Sequence, residues 1–350
     1  MFIRASVYVR SFGLQRRSFA NAAANFRIPV IDFSKFRTAQ SDVEKKETAD
    51  EIVSAFKNSG FIYVSNHGIP EDTVSNVFRK SAEFFKMPTD VKAQLAWEDP
   101  RSNRGYVQIG RERVTQSADA DEILALREKA PDFKESMEIG RDWDSVWENQ
   151  WPEESDAPGF KKTMLNFFQT CHELHVEMMR SIALGLDLSE NFFDRKIDQQ
   201  CHNLRLLSYP PIKRALLDGD GQARAGSHSD YGTLTLLFQP QVGGLEVMDP
   251  QTGMFVPATP IPSTIVINVG DLLARWSNDV LRSTLHRVVS PAKMISSAET
   301  ITPARQSIAF FSNPNFDTVI ECLPNCGNEA RYPPIDTKTY IVGRLTATYM

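Results

Sequence analysis

Three residues in the second half of this chain carry side chains that commonly bind metals. His228 and Asp230 are two apart, and His286 follows fifty-six residues after Asp230 in a strand-like run. Residues i and i+2 of an extended strand point to the same side, so His228 and Asp230 are expected to reach one ion together. Two imidazoles and one carboxylate hold Fe(II) on one side and leave coordination positions open on the other. The set predicts a non-haem Fe(II) site, although His-x-Asp alone is more typical of a surface turn.

A pair of anion-binding residues accompanies the metal set. Arg305 lies nineteen residues past His286 and begins an apolar run, and Ser307 shares its face two residues later. A guanidinium with a hydroxyl suits bidentate, charge-assisted binding of a carboxylate. A dicarboxylic 2-oxo acid would chelate the metal with its keto-acid end and pair with Arg305 at the other. The alternative is an ordinary surface arginine, which the neighbouring metal set disfavours.

The alternation of strands nominates a substrate pocket. If Tyr209 faces the interior, then alternate residues before it do too, namely Leu207, Arg205 and Asn203. If Arg305 faces inward, then Phe311 does as well. Two aromatic rings would sandwich a flat polar molecule while polar side chains bond its edge. Plain packing of the aromatic rings in a barrel is the alternative. The four candidate substrate residues are Asn203, Arg205, Tyr231 and Phe311.

Hydrophobic periodicity predicts the elements that must position these residues. Residues 98–133 are polar and carry little periodicity, which indicates a long loop of the lid type. Seven short apolar runs after residue 203 are typical of a β-sandwich or barrel. Helices are predicted at 43–58, 71–86, 160–184 and 340–349, and strands at 28–33, 61–64, 204–209, 234–238, 245–248, 255–258, 264–269, 285–289 and 307–311. The fold class is therefore mainly β with flanking helices.

The spacing of these residues resembles that of a known family. His228-x-Asp230, His286 and Arg305-x-Ser307 are similar in spacing to the iron(II)/2-oxoglutarate oxygenases of the isopenicillin N synthase-like group. Segments at 28–33, 60–70, 209–211 and 313–315 are also similar to signatures of that group, so the resemblance covers nearly the whole chain after its tail. Within the group, segments 103–106, 203–210 and 272–279 most resemble the fungal thymine hydroxylases and their relatives.

The resemblance implies a double-stranded β-helix, or jelly roll, with iron at one mouth. It implies that His228, Asp230 and His286 are the metal ligands and that three further residues hold 2-oxoglutarate. O2 would be the second co-substrate, and ascorbate would keep the iron ferrous. Many plant members carry Asn two residues before the tyrosine of this group, whereas Leu207 stands here. The implied 2-oxoglutarate residues are Arg305, Ser307 and Tyr209.

The expected organisation is one integrated catalytic unit. It comprises a presumed transit peptide or disordered tail at 1–26, an N-terminal helical and mixed region at 27–200, and a jelly-roll dioxygenase core at 201–350. The expected reaction is oxidative decarboxylation of 2-oxoglutarate to succinate, coupled to hydroxylation of a small organic substrate such as thymine or a secondary metabolite. The alternatives are a desaturase or oxidative cyclase with the same iron core, or a catalytically silent ligand-binding barrel.

Composition limits the partners. The formal charge is −5 with no basic patch in the body of the chain, which argues against nucleic acid. No apolar run approaches the roughly 20 residues that span a bilayer. Four scattered cysteines are read as free thiols in a reducing compartment. We expect a small-molecule substrate, no nucleic-acid or membrane partner, and a monomer or weak dimer.

The first residues differ from the rest. Five arginines and no acidic residue precede Asp32, and serine and alanine are frequent there. This composition is typical of a mitochondrial transit peptide. An untargeted disordered tail or a misplaced start codon is the alternative, and a protein without import would be cytoplasmic.

Overall fold

The fold is known from a computed structural model that describes most of the chain after its N-terminal segment. The predicted transit peptide at 1–26 lies outside the described residues except for Phe26. The described residues are 26–97, 99, 101–112, 120–129, 132–217, 224–290 and 301–349.

Two β-sheets face each other and enclose a cavity. The larger sheet has eight strands in the order β1-β2-β11-β8-β14-β5-β4-β3, and the smaller has four in the order β10-β9-β12-β7. The larger sheet contains β1 (Val30–Asp32), β2 (Phe61–Ser65), β3 (Gly105–Val107), β4 (Glu135–Ile139), β5 (Asn203–Tyr209), β8 (Leu234–Phe238), β11 (Thr264–Val269) and β14 (Arg305–Ser312). The smaller contains β7 (Ala225–His228), β9 (Leu245–Met248), β10 (Phe255–Pro257) and β12 (His286–Val288). Two ribbons pair β6 (Ile212–Lys213) with β13 (Ile301–Thr302), and β15 (Val319–Ile320) with β16 (Ile335–Asp336).

Helices cover the outer face of the larger sheet. The long helix α6 (Phe160–Gly185) places Phe167 with its ring centroid 5.0 Å from that of Phe238, and Phe168 with its ring centroid 5.2 Å from that of Phe310. These contacts bury one face of α6 and hold β8 and β14 from outside. The helices are α1 (Ser34–Arg37), α2 (Asp42–Asn58), α3 (Glu71–Phe85), α4 (Thr89–Ala93), α5 (Ala120–Lys129), α6 (Phe160–Gly185), α7 (Asp194–Ile197), α8 (Asp271–Trp276) and α9 (Thr337–Tyr349). None of these described helices is both long and apolar enough to cross a bilayer.

Strand alternation leaves the inner face of the larger sheet partly polar. On β14, Ile308 and Phe310 join the apolar layer under the helices, whereas Ala309 belongs to a smaller apolar cluster between the sheets. Arg305 and Ser307 share the inner face with Ala309, since alternate residues of a strand point the same way. The space between the two sheets is therefore a cavity with both polar and apolar side chains in its wall.

The structure confirms the mainly β fold with flanking helices, and its two facing sheets form the double-stranded β-helix. The predicted helices and strands recur with ends shifted by a few residues at most. All four cysteines are free. The N-terminal region also contributes four strands to the larger sheet, β1 to β4.

The prediction of a long loop at 98–133 was wrong for the described part of that segment. It contains β3, which pairs with β4 at the edge of the larger sheet, and helix α5. β3 has only three residues, too few for periodicity to show. β4 was missed altogether, because its sequence Glu-Ser-Met-Glu-Ile carries a buried glutamate on each face and so hides the alternation of a strand.

Candidate metal centre and substrate pocket

Two neighbouring strands of the smaller sheet bring the predicted metal ligands together. β12 pairs antiparallel with β7, and His286 lies directly opposite His228 with the ring centroids 4.4 Å apart. Asp230 Oδ1 lies 3.9 Å from His228 Nε2 and 3.7 Å from His286 Nε2. The ligand atoms of all three residues lie within 4.8 Å of one another. The set is placed to share one ion.

Asp230 does not share a strand with His228, so the prediction made from their spacing was wrong on this point. β7 ends at His228, so Asp230 lies in the following turn and not on the strand. The turn is fixed because the Asp271 N–H donates to the Asp230 carbonyl at 2.7 Å. Gly232 lies so close to β14 that an added Cβ would be 2.2 Å from the Ser312 carbonyl oxygen. The turn therefore requires glycine at this point.

Hydrogen bonds around the three ligands prepare them for a metal. His228 Nδ1 lies 2.8 Å from the Gly226 carbonyl, and His286 Nδ1 lies 3.2 Å from the Thr284 carbonyl. A ring nitrogen beside a carbonyl must carry the proton, so each Nε2 presents its lone pair. On Asp230, Oδ2 accepts from Thr235 at 2.6 Å and from Asn268 at 2.7 Å. Oδ1 is thus turned toward the imidazoles, and the donor set fits Fe(II).

Burial and charge set the protonation states of these ligands. Burial, with the nearby His286, lowers the pKa of His228 to about 4. Burial by itself would raise the pKa of Asp230, but the two imidazoles and the two hydrogen bonds to Oδ2 lower it overall. At neutral pH, His228 is therefore neutral and Asp230 ionised, the states in which both can bind a cation.

A cavity next to the ligands contains the predicted anion-binding residues. Arg305 and Tyr209 lie opposite each other in the pairing of β14 with β5, and the guanidinium lies 4.9 Å from the tyrosine ring centroid. Arg305 is buried, donates to Ser307 Oγ at 3.0 Å, and donates to the Gly243 carbonyl at 2.9 Å. A buried guanidinium with a hydroxyl beside it fits a carboxylate at the far end from the metal.

A second pocket, separate from the cavity of Arg305, also adjoins the metal ligands. His228 and Asp230 line both this pocket and the first cavity. The guanidinium carbon of Arg205 lies 5.3 Å from the Phe311 ring centroid. The structure thus brings all four candidate substrate residues into one pocket wall: Asn203, Arg205, Tyr231 and Phe311.

Comparison with known proteins agrees with this arrangement. A family model described as the 2OG-Fe(II) oxygenase superfamily matches residues 200–314, and one described as non-haem dioxygenase in morphine synthesis N-terminal matches residues 28–154. The 2-oxoglutarate-dependent dioxygenase htyE of Aspergillus rugulosus is 34% identical over 92% of this chain and 99% of its own. This chain belongs to the 2-oxoglutarate/Fe(II)-dependent dioxygenases.

The dioxygenase is similar in structure to a fungal and to a bacterial protein. The full-length thymine hydroxylase of Neurospora crassa, in complex with alpha-KG, is 48% identical, covers 92% of this chain and 96% of its own, and superposes with a TM-score of 0.83. A putative 2OG-Fe(II) oxygenase of Caulobacter crescentus is 30% identical over 91% of this chain and 98% of its own, with a TM-score of 0.73. The resemblance seen in the sequence is confirmed, and the catalytically silent barrel is set aside.

Several residues that line or support the dioxygenase pockets were missed from the sequence. Arg205 Nε lies 2.7 Å from Glu138 Oε1, and Arg205 Nη1 lies 3.2 Å from Glu112 Oε1. Asn203 donates to Glu138 Oε2 at 2.7 Å. Helix α9 adds Ile341, Leu345 and Thr348 to the substrate pocket. The only sequence signal for this wall was the i, i+4, i+7 spacing within the predicted last helix.

A second histidine cluster, His172, His175 and His202, also has ligand atoms within 4.8 Å of one another. His202 Nδ1 accepts from the Asn313 N–H at 3.0 Å, so its proton resides on Nε2 and is donated to His172 Nδ1, also at 3.0 Å. His175 Nε2 lies 3.1 Å from Thr233 Oγ1. Because His202 uses both nitrogens inside the protein, we interpret this cluster as a structural hydrogen-bond network.

Proposed function

We propose that this dioxygenase hydroxylates a small, flat and neutral heterocycle, and that a pyrimidine base such as thymine is the first candidate. The observation that carries the proposal is the pocket beside the metal ligands, where Phe311 and Tyr231 offer ring faces and Arg205 offers a fixed polar edge. Aromatic faces with a few convergent polar groups are suited to a planar polar ring.

One group of residues would bind the metal, and a second group would bind 2-oxoglutarate. His228, Asp230 and His286 would hold Fe(II), and Arg305, Ser307 and Tyr209 would hold the 2-oxoglutarate. Bound iron and 2-oxoglutarate supply O2 activation, which couples decarboxylation to succinate with oxidation of the substrate. The protein orients both molecules and excludes water from the cavity between the sheets.

The charge balance of the substrate pocket supports a neutral substrate. Arg205 is bonded to the carboxylates of Glu138 and Glu112, so its charge is already compensated. An anionic substrate would bring a further negative charge next to two buried carboxylates, and burying an uncompensated charge is costly. A neutral ring that both donates and accepts hydrogen bonds meets no such penalty.

The relatives support the same choice. Crystal structures of the Neurospora crassa enzyme contain alpha-KG with thymine at 48% identity, and alpha-KG with 5-formyluracil at 44% identity. Another relative, proline hydroxylase buaE of Petromyces alliaceus, is 34% identical over 91% of this chain and 98% of its own. An amino-acid derivative is therefore the second candidate substrate.

Substrate-stimulated turnover tests the proposal. Purified enzyme with Fe(II), ascorbate, 2-oxoglutarate and O2 is given thymine, uracil or L-proline, and succinate and products are measured by mass spectrometry. We expect thymine to stimulate succinate release and to gain one oxygen atom, whereas a desaturase or cyclase product would lose two hydrogens. No stimulation by thymine and uracil would remove the nucleobase proposal, and stimulation by L-proline would replace it.

The substrate wall can be tested separately. Arg205→Met should raise the KM for thymine far more than the KM for 2-oxoglutarate. Arg287→Met is the matched control. Arg287 lies on β12 outside both pockets, and its Nη2 pairs with Glu246 Oε2 at 2.7 Å.

We also propose mitochondrial import and a monomeric or weakly dimeric state. The arginine-rich, acid-free composition before Asp32 supports import. Residues 1–26 fused to a fluorescent protein should reach mitochondria, and replacement of Arg10, Arg16 and Arg17 by Gln should abolish this. Cytosolic fluorescence from both fusions would contradict import. Light scattering after gel filtration tests the oligomeric state, which a stable higher assembly would contradict.

A further inference from the structure

Lys134 is a buried cation at the boundary between the two pockets. It directly precedes β4, on the face of that strand shared by Ser136 and Glu138. Ser136 is paired with Leu207 and Glu135 with Ser208, so Lys134 lies at the level of Tyr209 on the neighbouring strand. Its side chain is 5% exposed and lines the cavity that contains Arg305 and Ser307.

The other side of Lys134 faces carboxylates. Its ammonium contacts Glu112 Oε2 and lies 3.9 Å from Asp132 Oδ2. Glu112 Oε1 in turn accepts from Arg205 Nη1 at 3.2 Å. On one side, Lys134 therefore has negative charges that offset the cost of its burial. On its other side it faces the cavity that contains Arg305.

The charge of 2-oxoglutarate makes this position significant. The molecule carries two carboxylates, and Arg305 can serve only the one far from the metal. Among the described residues lining the cavity, the positively charged side chains are Lys134, Arg205 and Arg305. Arg205 is already bonded to Glu112 and Glu138. Leu207, which also lines the cavity, offers no polar group. Lys134 is paired as well, but its ammonium extends from the level of Tyr209 toward Glu112, which also bonds Arg205. Glu112 and Arg205 line the pocket that contains His228 and Asp230, so the ammonium points toward the metal ligands.

We propose that Lys134 is a second anchor for 2-oxoglutarate and binds its metal-proximal carboxylate. This inference rests on the proposed roles of the iron ligands and of Arg305, but not on the identity of the substrate. The ammonium donates a charge-assisted hydrogen bond to that carboxylate while it keeps its contact with Glu112. Arg305 and Lys134 then hold opposite ends of the same molecule.

Binding to metal-substituted enzyme tests the inference without turnover. Co(II)-loaded protein is titrated by calorimetry with 2-oxoglutarate and with 2-oxobutyrate, which lacks the distal carboxylate. Lys134→Met should weaken both ligands by a similar factor, roughly ten- to a hundredfold, the usual loss for one hydrogen bond to a charged group. Arg305→Met should instead abolish the preference of the enzyme for 2-oxoglutarate over 2-oxobutyrate.

Lys92 offers a matched control on the opposite face of β4. It is 4% exposed, and its Nζ lies 2.7 Å from Glu135 Oε2. Lys92→Met removes a comparably buried lysine–glutamate pair outside both pockets, so the affinities for both oxo acids should remain within about twofold of the wild type, even if the protein melts earlier.

Two results would overturn the inference. One is an unchanged affinity of Lys134→Met for both ligands, and the other is a loss confined to 2-oxoglutarate, which would place Lys134 at the distal end. If Lys134→Met does not fold because Glu112 is left unpaired, the double variant Lys134→Met with Glu112→Gln removes that charge and should show the same equal loss. Wild-type protein that binds neither ligand would contradict the proposed function itself.

Discussion

Asn268 donates a 2.7 Å hydrogen bond to Oδ2 of Asp230 and so decides which carboxylate oxygen faces the two imidazoles. Asn268 lies on β11 of the larger sheet, whereas Asp230 follows β7 of the smaller. The bond therefore connects the two sheets at the metal centre. Because Thr235 bonds the same oxygen, Oδ1 is the atom left to bind a metal.

Replacement of Asn268 should weaken metal binding without loss of a ligand. In Asn268→Ala the carboxylate of Asp230 is held by Thr235 alone, and loss of such an outer contact typically costs 10- to 100-fold in metal affinity. Anaerobic titration with Fe(II) or Co(II) measures it. Asn278→Ala is the control, because Asn278 is a buried amide that bonds the Cys326 and Glu329 carbonyls instead. Equal affinities of the Asn268 variant and the wild type would contradict the proposed role.

Arg305→Lys should lose most of the affinity for 2-oxoglutarate even though it keeps the charge. A lysine cannot present the planar fork of donors that now bonds both Ser307 Oγ and the Gly243 carbonyl. We expect the KM for 2-oxoglutarate to rise on the order of a hundredfold, equivalent to one or two charged hydrogen bonds. Arg287→Lys, on the outer side of β12, should behave as the wild type. A KM within threefold for Arg305→Lys would show that the charge alone suffices.

Thr348 supports the substrate pocket from helix α9. Its hydroxyl lies 2.9 Å from the Tyr231 hydroxyl, while Arg344 lies over the Tyr231 ring at 4.6 Å. Thr348→Val should free the ring of Tyr231 and raise the substrate KM several-fold, with the KM for 2-oxoglutarate unchanged. Thr339→Val, on the exposed side of the same helix, is the control. Equal rises in both KM values would indicate a general loss of structure instead.

The histidine cluster under the pocket should make the fold sensitive to acid. Burial lowers the pKa of His175 to about 3, and burial also lowers the pKa of His172 and His202. The unfolded chain, with histidine pKa near 6.5, then binds more protons than the folded one, so stability is lost as the pH falls below about 6.5. Between its unfolded pKa near 6.5 and its folded pKa of about 3, His175 contributes up to about 1.4 kcal/mol per pH unit to this loss.

Denaturant unfolding of His175→Gln measures this contribution. Between pH 6.5 and 5, its free energy of unfolding should fall less steeply than that of the wild type. The difference in slope should correspond to about one fewer proton taken up on unfolding. The metal ligands are the same in both proteins and cancel in the comparison. Identical slopes would show that His175 is protonated in the folded state.

Periodic elements and paired ligand types were predictable from the sequence, and irregular or charged ones were not. The run containing Arg305, Ser307 and Phe311 alternates regularly, so its inward face could be read directly. β4 could not be recognised, because Glu135 and Glu138 point to opposite faces and each is neutralised by a residue distant in sequence, Lys92 or Arg205. Such pairing depends on tertiary contacts, and no local pattern reveals it.

The same limit applies to the metal centre. Ligand types and spacing identified His228, Asp230 and His286, but the assumed strand at Asp230 was wrong because the turn there is held by backbone bonds and by Gly232. The orienting residues Asn268 and Thr235 gave no signal, since an Asn or Thr on a strand is unremarkable until its partner is known.

Anaerobic addition of Fe(II) and 2-oxoglutarate tests the central assignment most directly. If His228, Asp230 and His286 hold the iron and leave one side open for 2-oxoglutarate, a visible charge-transfer band should appear in the wild-type protein, and His228→Ala should abolish it. The same band at the same Fe(II) affinity in His228→Ala, with the protein folded, would contradict the account.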